Sequence, residues 1–289
     1  MDDTVLVTGA TGFVGFHLAN ALTAMGATVY RHSAGTGNIA SCSFDYKGVR
    51  HVFHLAAKTF VPDSWESPRA FYEVNVLGTV NVVEFCRRSG ASLTFMSSYV
   101  YGQPQRLPIA EDHPVQPLNP YSHTKILAEE VVSYYGAQLG VSAAIVRPFN
   151  IYGPGQREPF LVPKLINQTL DPSSGAITVA DLRPRRDYIY IRDVVALLIA
   201  TRSAPAGSVY NAGSGQSLGI EDLISKIAAL TGCRKPVQSL DKIRPEEVLD
   251  VVADISKAGR ELGWTPRTTL DHGLSETITW TNSALGARR

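Results

Sequence analysis

The chain has 289 residues, 44% of them hydrophobic and 18% charged, and a formal net charge of +1 at pH 7. That length allows one or two domains with full cores, and a charge near zero excludes a broad cationic field for nucleic acid or an anionic membrane. No apolar run approaches the ~20 residues of a membrane span, the opening Met1-Asp2-Asp3 is acidic where a secretory leader is basic, and the scattered Cys42, Cys86 and Cys233 form no metal or redox pattern, which together predict a cytoplasmic protein with reduced thiols.

Thr4 to Val7 is an apolar run of strand length. Gly12 to Ala24 follows as a helix with Phe13, Val14, Leu18, Ala21 and Leu22 on one side. Thr28 to Arg31 reads as a second strand, His51 to Ala56 as another, and Pro68 to Arg88 as a long helix. Leu93 to Met96 is a strand, Pro120 to Leu139 a helix and Val141 to Val146 a strand. Strands alternating with helices predict parallel βαβ units in an α/β, Rossmann-type doubly wound sheet. Only Ser33 to Cys42 separate the second strand from a possible third at Ser43-Phe44. A crossover with its helix needs at least ~10–12 residues, so this edge of the sheet is trimmed.

After Asn150 the texture changes. Gly153-Pro154-Gly155, Pro159, Pro163 and Asp171-Pro172-Ser173-Ser174-Gly175 punctuate short elements. Helices are predicted over Ile189–Arg202, Ile220–Leu230, Asp254–Gly263 and Leu270–Ser283, with a strand at Ser208–Asn211. The division expected is a dinucleotide-binding domain of residues 1–149 plus about 187–212, and a smaller α/β substrate lobe of 150–186 plus 213–289.

Thr8-Gly9-Ala10-Thr11-Gly12-Phe13-Val14-Gly15 joins the first strand to the first helix. A tight turn, a close approach to a pyrophosphate and close helix–strand packing each require a residue without Cβ, which Gly9, Gly12 and Gly15 supply. The helix N-terminus then offers free N–H groups to phosphates. Without a ligand the same glycines are merely a structural turn; the flanking strand and helix favour dinucleotide binding.

Further along lies Tyr121-Ser122-His123-Thr124-Lys125. Positions i and i+4 share a helix face, and an ammonium beside a phenol lowers its pKa, readying Tyr121 to trade a proton with a hydroxyl. Chance spacing of a buried Tyr and a surface Lys is the plain alternative, and the upstream glycines argue against it. Ser97 and Ser98 follow a buried strand and so emerge at its carboxyl end, where ligands sit in open α/β sheets.

On these motifs the chain resembles the extended short-chain dehydrogenases/reductases, the group of nucleotide-sugar epimerases, dehydratases and 4-ketoreductases. The resemblance covers T-G-x-x-G-x-x-G at 8–15, H-L-A-A at 54–57, Asn75-Val76-Leu77-Gly78-Thr79, S-S-x-V-Y-G at 97–102 and Y-x-x-x-K at 121–125. It continues through R-P-x-N-x-Y-G-P at 147–154, Arg186-Asp187-Tyr188, R-P-E-E at 244–247, Ala253-Asp254-Ile255 and Leu262-Gly263-Trp264. It implies Ser97 and Tyr121 as catalytic hydroxyls, Lys125 as the ribose-holding cation that lowers the Tyr121 pKa, and Asn75 as their support. Ala56, Ala57 and Pro148 would line the cofactor, with Thr11, Phe13, Val14, His32, Asp45, Tyr46, Leu55 and Lys58 completing its surroundings. Asn150, Arg186 and Arg244 would hold a sugar diphosphate, guanidinium forks suiting phosphate oxygens. Lys58, Ser98 and Tyr99 join the substrate contacts. A homodimer through the two long helices is implied as well, with Tyr72, Val76, Val80, Val83, Leu127, Val131 and Tyr134 as apolar contacts that core packing would explain equally.

Two departures narrow the reaction. Where 4,6-dehydratases carry an Asp-Glu pair this chain has Ser98-Tyr99, which cannot run that elimination near neutral pH. The second strand ends Val29-Tyr30-Arg31-His32-Ser33 without the carboxylate that usually binds adenosine ribose. Arg31 and Ser33 would meet a 2′-phosphate, tilting the cofactor from NAD(H) toward NADP(H). The expectation is a metal-free NAD(P)-dependent nucleotide-sugar epimerase or 4-ketoreductase. A reductase of a small non-sugar ketone or aldehyde, and a dinucleotide sensor without turnover, stand as alternatives.

Overall fold

The computed structural model describes residues 3–243 and 247–286. β1 (Thr4–Thr8) is fully buried and feeds α1 (Phe13–Ala24), which returns the chain to β2 (Thr28–His32) at the sheet edge. Residues 33–50 then form turns and bends, and the possible strand at Ser43-Phe44 is not made. The segment is too short for a crossover, and Phe44 is used as a core plug instead, its ring 5.1 Å from that of His32 and 5.5 Å from that of Phe85.

β3 (His51–His54) is shorter than its apolar run, because the chain turns away at Leu55. After α2 (Val61–Glu66), the long helix expected over 68–88 is three pieces: α3 (Pro68–Phe71), a π-helical segment Tyr72–Leu77, and α4 (Gly78–Ser89). β4 (Ser92–Met96) follows, then α5 (Pro120–Leu139), opened by a capping box in which the Ser122 N–H donates to Asn119 Oδ1 at 2.8 Å. β5 (Ala143–Pro148) closes the first half.

The second half places β6 (Asn150–Tyr152), α6 (Leu161–Leu170), β7 (Ile177–Val179), β8 (Arg185–Tyr190) and α7 (Ile191–Ala200) in succession. The helix expected from Ile189 therefore starts two residues later, since the Tyr-Ile-Tyr run extends β8. β9 (Ser208–Ala212), β10 (Ser217–Gly219), α8 (Ile220–Thr231), β11 (Val237–Ser239), α9 (Ser256–Leu262) and α10 (Leu270–Gly286) complete the chain.

The main sheet has the order β2-β1-β3-β4-β5-β9 with every pairing parallel, and smaller sheets β10-β8-β6 and β11-β7 lie in the second half. One apolar core joins α1, α7, α6 and α8 to the sheet, and another packs α4 and α5 on the opposite face. A third, Tyr101, Ile109, Phe149, Val248, Val251 and Ala253, ties the second lobe under the carboxyl ends of the strands.

Candidate active site

The β1–α1 turn is too tight for side chains. Gly9 has φ +70°, where L residues are strained, and a Cβ on it would lie 2.8 Å from Ala56 N. A Cβ on Gly15 would lie 2.1 Å from Gly9 O. α1 has no side-chain cap and no acidic residue in its first turn, so its N–H groups and partial positive charge remain available. Gly12 and Gly15 with this bare helix end form a fitting cradle for a dinucleotide pyrophosphate.

The turn opens into a cavity of about 2010 Å³ along the carboxyl ends of the parallel strands. A site for a single drug-sized ligand occupies roughly 300–1,000 Å³, so there is room for a cofactor and a substrate together. Gly9, Thr11 to Gly15, His32, Ser33, Leu55 to Lys58, Ser97, Ser98, Tyr99, Tyr121, Pro148, Asn150 and Arg186 all line it. Four buried side-chain atoms have no hydrogen-bond partner among the described residues: Ser97 Oγ, Ser98 Oγ, Gln156 Oε1 and Tyr188 Oη. All four residues line this one cavity. Buried polar atoms are nearly always satisfied, and orphans gathered in one place await a polar ligand.

Tyr121 and Lys125 sit one turn apart on α5, but the ammonium is turned inward. Lys125 Nζ donates to Met96 O at 2.7 Å and lies 4.3 Å from the Phe95 ring centroid. Burial pushes the Lys125 amine down to about 7, with Glu129 acting against the shift. Burial pushes the Tyr121 phenol up to about 12. The lowered tyrosine expected from the i, i+4 spacing is thus not found in the ligand-free protein: desolvation of the phenolate raises it, and Lys125, turned to Met96 O, is not among the groups that lower it.

Asn75 supports this wall from behind. Its Oδ1 accepts from Lys58 N at 2.8 Å, and its Nδ2 donates to Lys58 O at 3.0 Å and Thr124 Oγ1 at 2.9 Å. A π segment at such a point is a common device for presenting a functional side chain. Below it, the His54 ring joins Thr8 Oγ1 at 2.7 Å to Thr79 Oγ1 at 3.0 Å, and Thr79 donates to Asn75 O at 2.6 Å. Burial drives the pKa of His54 down to about 3, so it stays neutral.

Not every residue of the expected site faces the cavity. Arg31 donates to Asn20 Oδ1 at 3.0 Å and Thr23 Oγ1 at 3.4 Å on the outer side of α1. These bonds hold it away from the cavity that His32 and Ser33 line. Asp45 is exposed and pairs with Lys47 at 2.7 Å, and Tyr46 directs its hydroxyl to His32 Nδ1 at 3.1 Å. Asn75 and Lys125 stand behind the lining rather than in it. Arg244 lies outside the described residues.

On the second lobe Arg186 donates to Val248 O at 2.7 Å and ion-pairs with Glu247. Asn150 Nδ2 donates to Asp187 O at 3.2 Å. Asp187 itself is a structural anchor, its carboxylate accepting from Ser214 N and Oγ, Gly215 N and Ala253 N. Tyr99 donates to Gly102 O at 2.7 Å, and burial raises its phenol further out of acid–base range. The sequence reading missed Tyr188 and Gln156 as site residues. The signal for Tyr188 is its place two residues after Arg186, on one face of β8, with Asn150 as its partner on β6. Among the described residues no group of three His, Cys, Asp or Glu is placed to hold a metal ion, and no helix is long and apolar enough to cross a membrane.

Residues 5–213 match the NAD dependent epimerase/dehydratase family. A putative UDP-glucose 4-epimerase of Methanocaldococcus jannaschii is 32% identical over 96% of this chain and 97% of its own length. Among solved structures, TunA, an NAD-dependent NDP-hexosamine 5,6-dehydratase, is 33% identical, with a TM-score of 0.88 over 98% of both chains. RMD from Pseudomonas aeruginosa, solved with NADPH, is 28% identical, with a TM-score of 0.89 over 98% of this chain and 99% of its own.

Proposed function

As the chain belongs to the NAD dependent epimerase/dehydratase family, we propose that it is an NAD(P)-dependent oxidoreductase of nucleoside-diphosphate sugars acting at sugar C4, as a 4-epimerase or a 4-keto-6-deoxyhexose reductase. The observation that carries this reading is the set of unpartnered hydroxyls in a cavity with room for two ligands, fed by a glycine cradle on one side and an arginine on the other.

A dinucleotide held in the Gly9–Gly15 cradle would supply the hydride-accepting and hydride-donating chemistry. Ser97 and Tyr121 bond the C4 oxygen, and Tyr121 removes its proton on oxidation or returns one on reduction. Lys125 and Asn75 hold this wall in place. Arg186 binds the diphosphate, exchanging Glu247 for phosphate oxygens, and Asn150 and Tyr188 border the same space. His32 and Ser33 meet the adenosine ribose. The tilt toward NADP(H) rests on Ser33 and on the missing carboxylate, since Arg31 is directed at Asn20 and Thr23. The Tyr99 hydroxyl is committed to Gly102 O, which disfavours 4,6-dehydration. Residues 1–149 with about 187–212 act as the dinucleotide domain, although β8 pairs with the small sheet. We assign a cytoplasmic homodimer joined through the 68–89 helices and α5, where Leu77 and Tyr134 are exposed apolar side chains.

The test is to denature freshly purified protein, identify any dinucleotide released, and assay UDP- and GDP-hexoses and their 4-keto-6-deoxy forms. Near-stoichiometric NAD(H) with inversion at C4 identifies an epimerase. A protein that binds NADPH and reduces the 4-keto sugar is the reductase. Turnover of small ketones alone, or binding without turnover, overturns the reading.

A further inference from the structure

Leu55 to Lys58 leaves the end of β3 and lines the cavity beside the glycine turn, where a Cβ on Gly9 would lie 2.8 Å from Ala56 N. This strip is fastened at both ends. At its start Thr8 Oγ1 accepts from Leu55 N and Ala56 N, each at 3.2 Å. At its end the Asn75 amide takes both backbone groups of Lys58. The two fasteners are joined through one ring. His54 Nδ1 lies 2.7 Å from Thr8 Oγ1, and His54 Nε2 lies 3.0 Å from Thr79 Oγ1, which donates to Asn75 O at 2.6 Å. Thr8, His54, Asn75 and Thr79 are each at most 1% exposed, so solvent does not compete for these groups.

A hydroxyl has one proton to give and two lone pairs. The Thr8 lone pairs are taken by two N–H groups, which leaves its proton for His54 Nδ1, so that nitrogen is bare. The Thr79 proton goes to Asn75 O, which leaves a lone pair for His54 Nε2, so that nitrogen carries hydrogen. The two ends, read independently, demand the same neutral tautomer. We propose that His54 is a positioning residue for the dinucleotide: fixed as the Nε2–H tautomer, it links the Thr8 and Asn75 fasteners and holds the strip Leu55–Lys58 in place where the cofactor lies. Burial, which keeps the ring neutral, agrees with this. A leucine or a phenylalanine would fill the same space, but neither can accept at one edge and donate at the other. This inference rests on the dinucleotide reading of the cavity proposed above.

The test uses the full chain. Nitrogen-15 labelling of histidine reads the tautomer directly, the His54 signals being assigned by their loss in His54→Gln. A bare Nδ1 and a protonated Nε2 are expected at neutral pH. The opposite tautomer, or a ring exchanging between the two, overturns the inference, and this readout needs no threonine variant to fold. Binding of NADH and of NADPH is then titrated for Thr8→Val, Thr79→Val and the double variant, beside their urea midpoints. Each single change is expected to weaken binding by about 3- to 10-fold, the size of one hydrogen bond. Because both cut one chain, the double variant is expected to stay near that loss, where independent sites would multiply to roughly 10- to 100-fold. Thr79→Ser, which keeps the hydroxyl, is expected to bind as the wild type does. Lowered urea midpoints with unchanged affinity, or losses that multiply, overturn the role. A wild-type chain that binds neither dinucleotide overturns the dinucleotide reading and this role with it; wild-type binding that the valine variants share overturns this role alone.

Discussion

The two walls of the cavity are finished to different degrees. On the first-half wall the polar groups behind the lining are paired: Asn75 uses both ends of its amide, His54 both ring nitrogens, and Lys125 a carbonyl and an aromatic face. Facing the second lobe, Tyr188 Oη and Gln156 Oε1 lack partners, and Arg186 is held by an ion pair that a phosphate can replace. The support behind the cofactor side is built before the ligand arrives, while the lining hydroxyls Ser97 and Ser98 on that side, like Tyr188 and Gln156 across from them, are left for the ligand to complete. Preorganised groups lose little on binding, whereas orphaned groups gain a partner that the empty protein lacks.

The largest way to break this comparison is at its centre. Tyr121→Phe is expected to lower kcat by about 10²- to 10⁴-fold with nucleotide-sugar affinity little changed, as for loss of an acid–base group; a steady-state assay showing under tenfold loss would remove Tyr121 from the chemistry. Next comes acid. Burial drives His54 and His51 each down to about 3 in the fold, against an ordinary value near 6.5. The unfolded chain takes up protons first, so their contribution is intact above pH ~6.5 and drains away as pH falls toward 3. The slope approaches 1.4 kcal/mol per pH unit for each histidine. Urea unfolding at pH 7, 6 and 5 measures it, and a flat stability over that range contradicts neutral buried rings.

The substrate wall gives smaller effects. Arg186→Ala is expected to raise KM for a nucleoside-diphosphate sugar by roughly 10- to 100-fold, the magnitude of a charge-assisted hydrogen bond. An unaltered KM would favour a small non-sugar ketone as substrate. Tyr188→Phe is expected to raise KM by about 2- to 10-fold. Because its hydroxyl is unsatisfied in the ligand-free protein, the same change should leave Tm without ligand equal or higher. A drop in that Tm means the hydroxyl already has a partner, and the contrast between the walls dissolves.

Much of the first wall was legible because it is written in contiguous motifs whose spacing is local physics: a glycine turn after a strand, and a phenol and amine one helical turn apart. The parallel sheet followed from its alternating elements. Arg31 misled because its side-chain partners, not its sequence neighbourhood, decide where it is directed, and Asn20 and Thr23 on α1 take it. The π segment was invisible since Tyr72 to Leu77 has ordinary helical periodicity. Tyr188 was passed over because Arg186-Asp187-Tyr188 was read only as a motif with no strand assigned to it, and only on a strand does it share a face with Arg186. The burial that raises the Tyr121 phenol belongs to the packed cavity and has no signature in the spacing of two residues.

The junction at the end of the π segment has one more consequence. A Cβ on Gly78 would lie 2.8 Å from Ile39 Cγ2, and Asn81 Nδ2, one turn on, donates to Ile39 O at 3.0 Å and Cys42 O at 2.8 Å. One helical stretch therefore meets the catalytic wall through Asn75 and clasps the shortened β2–β3 connection three residues past Gly78. For anyone re-engineering cofactor preference, the connection is not a free cassette: a longer insert that regrows the missing strand has to present carbonyls at both of Asn81's stations, or the helix that steadies Lys58 and Thr124 loses its footing.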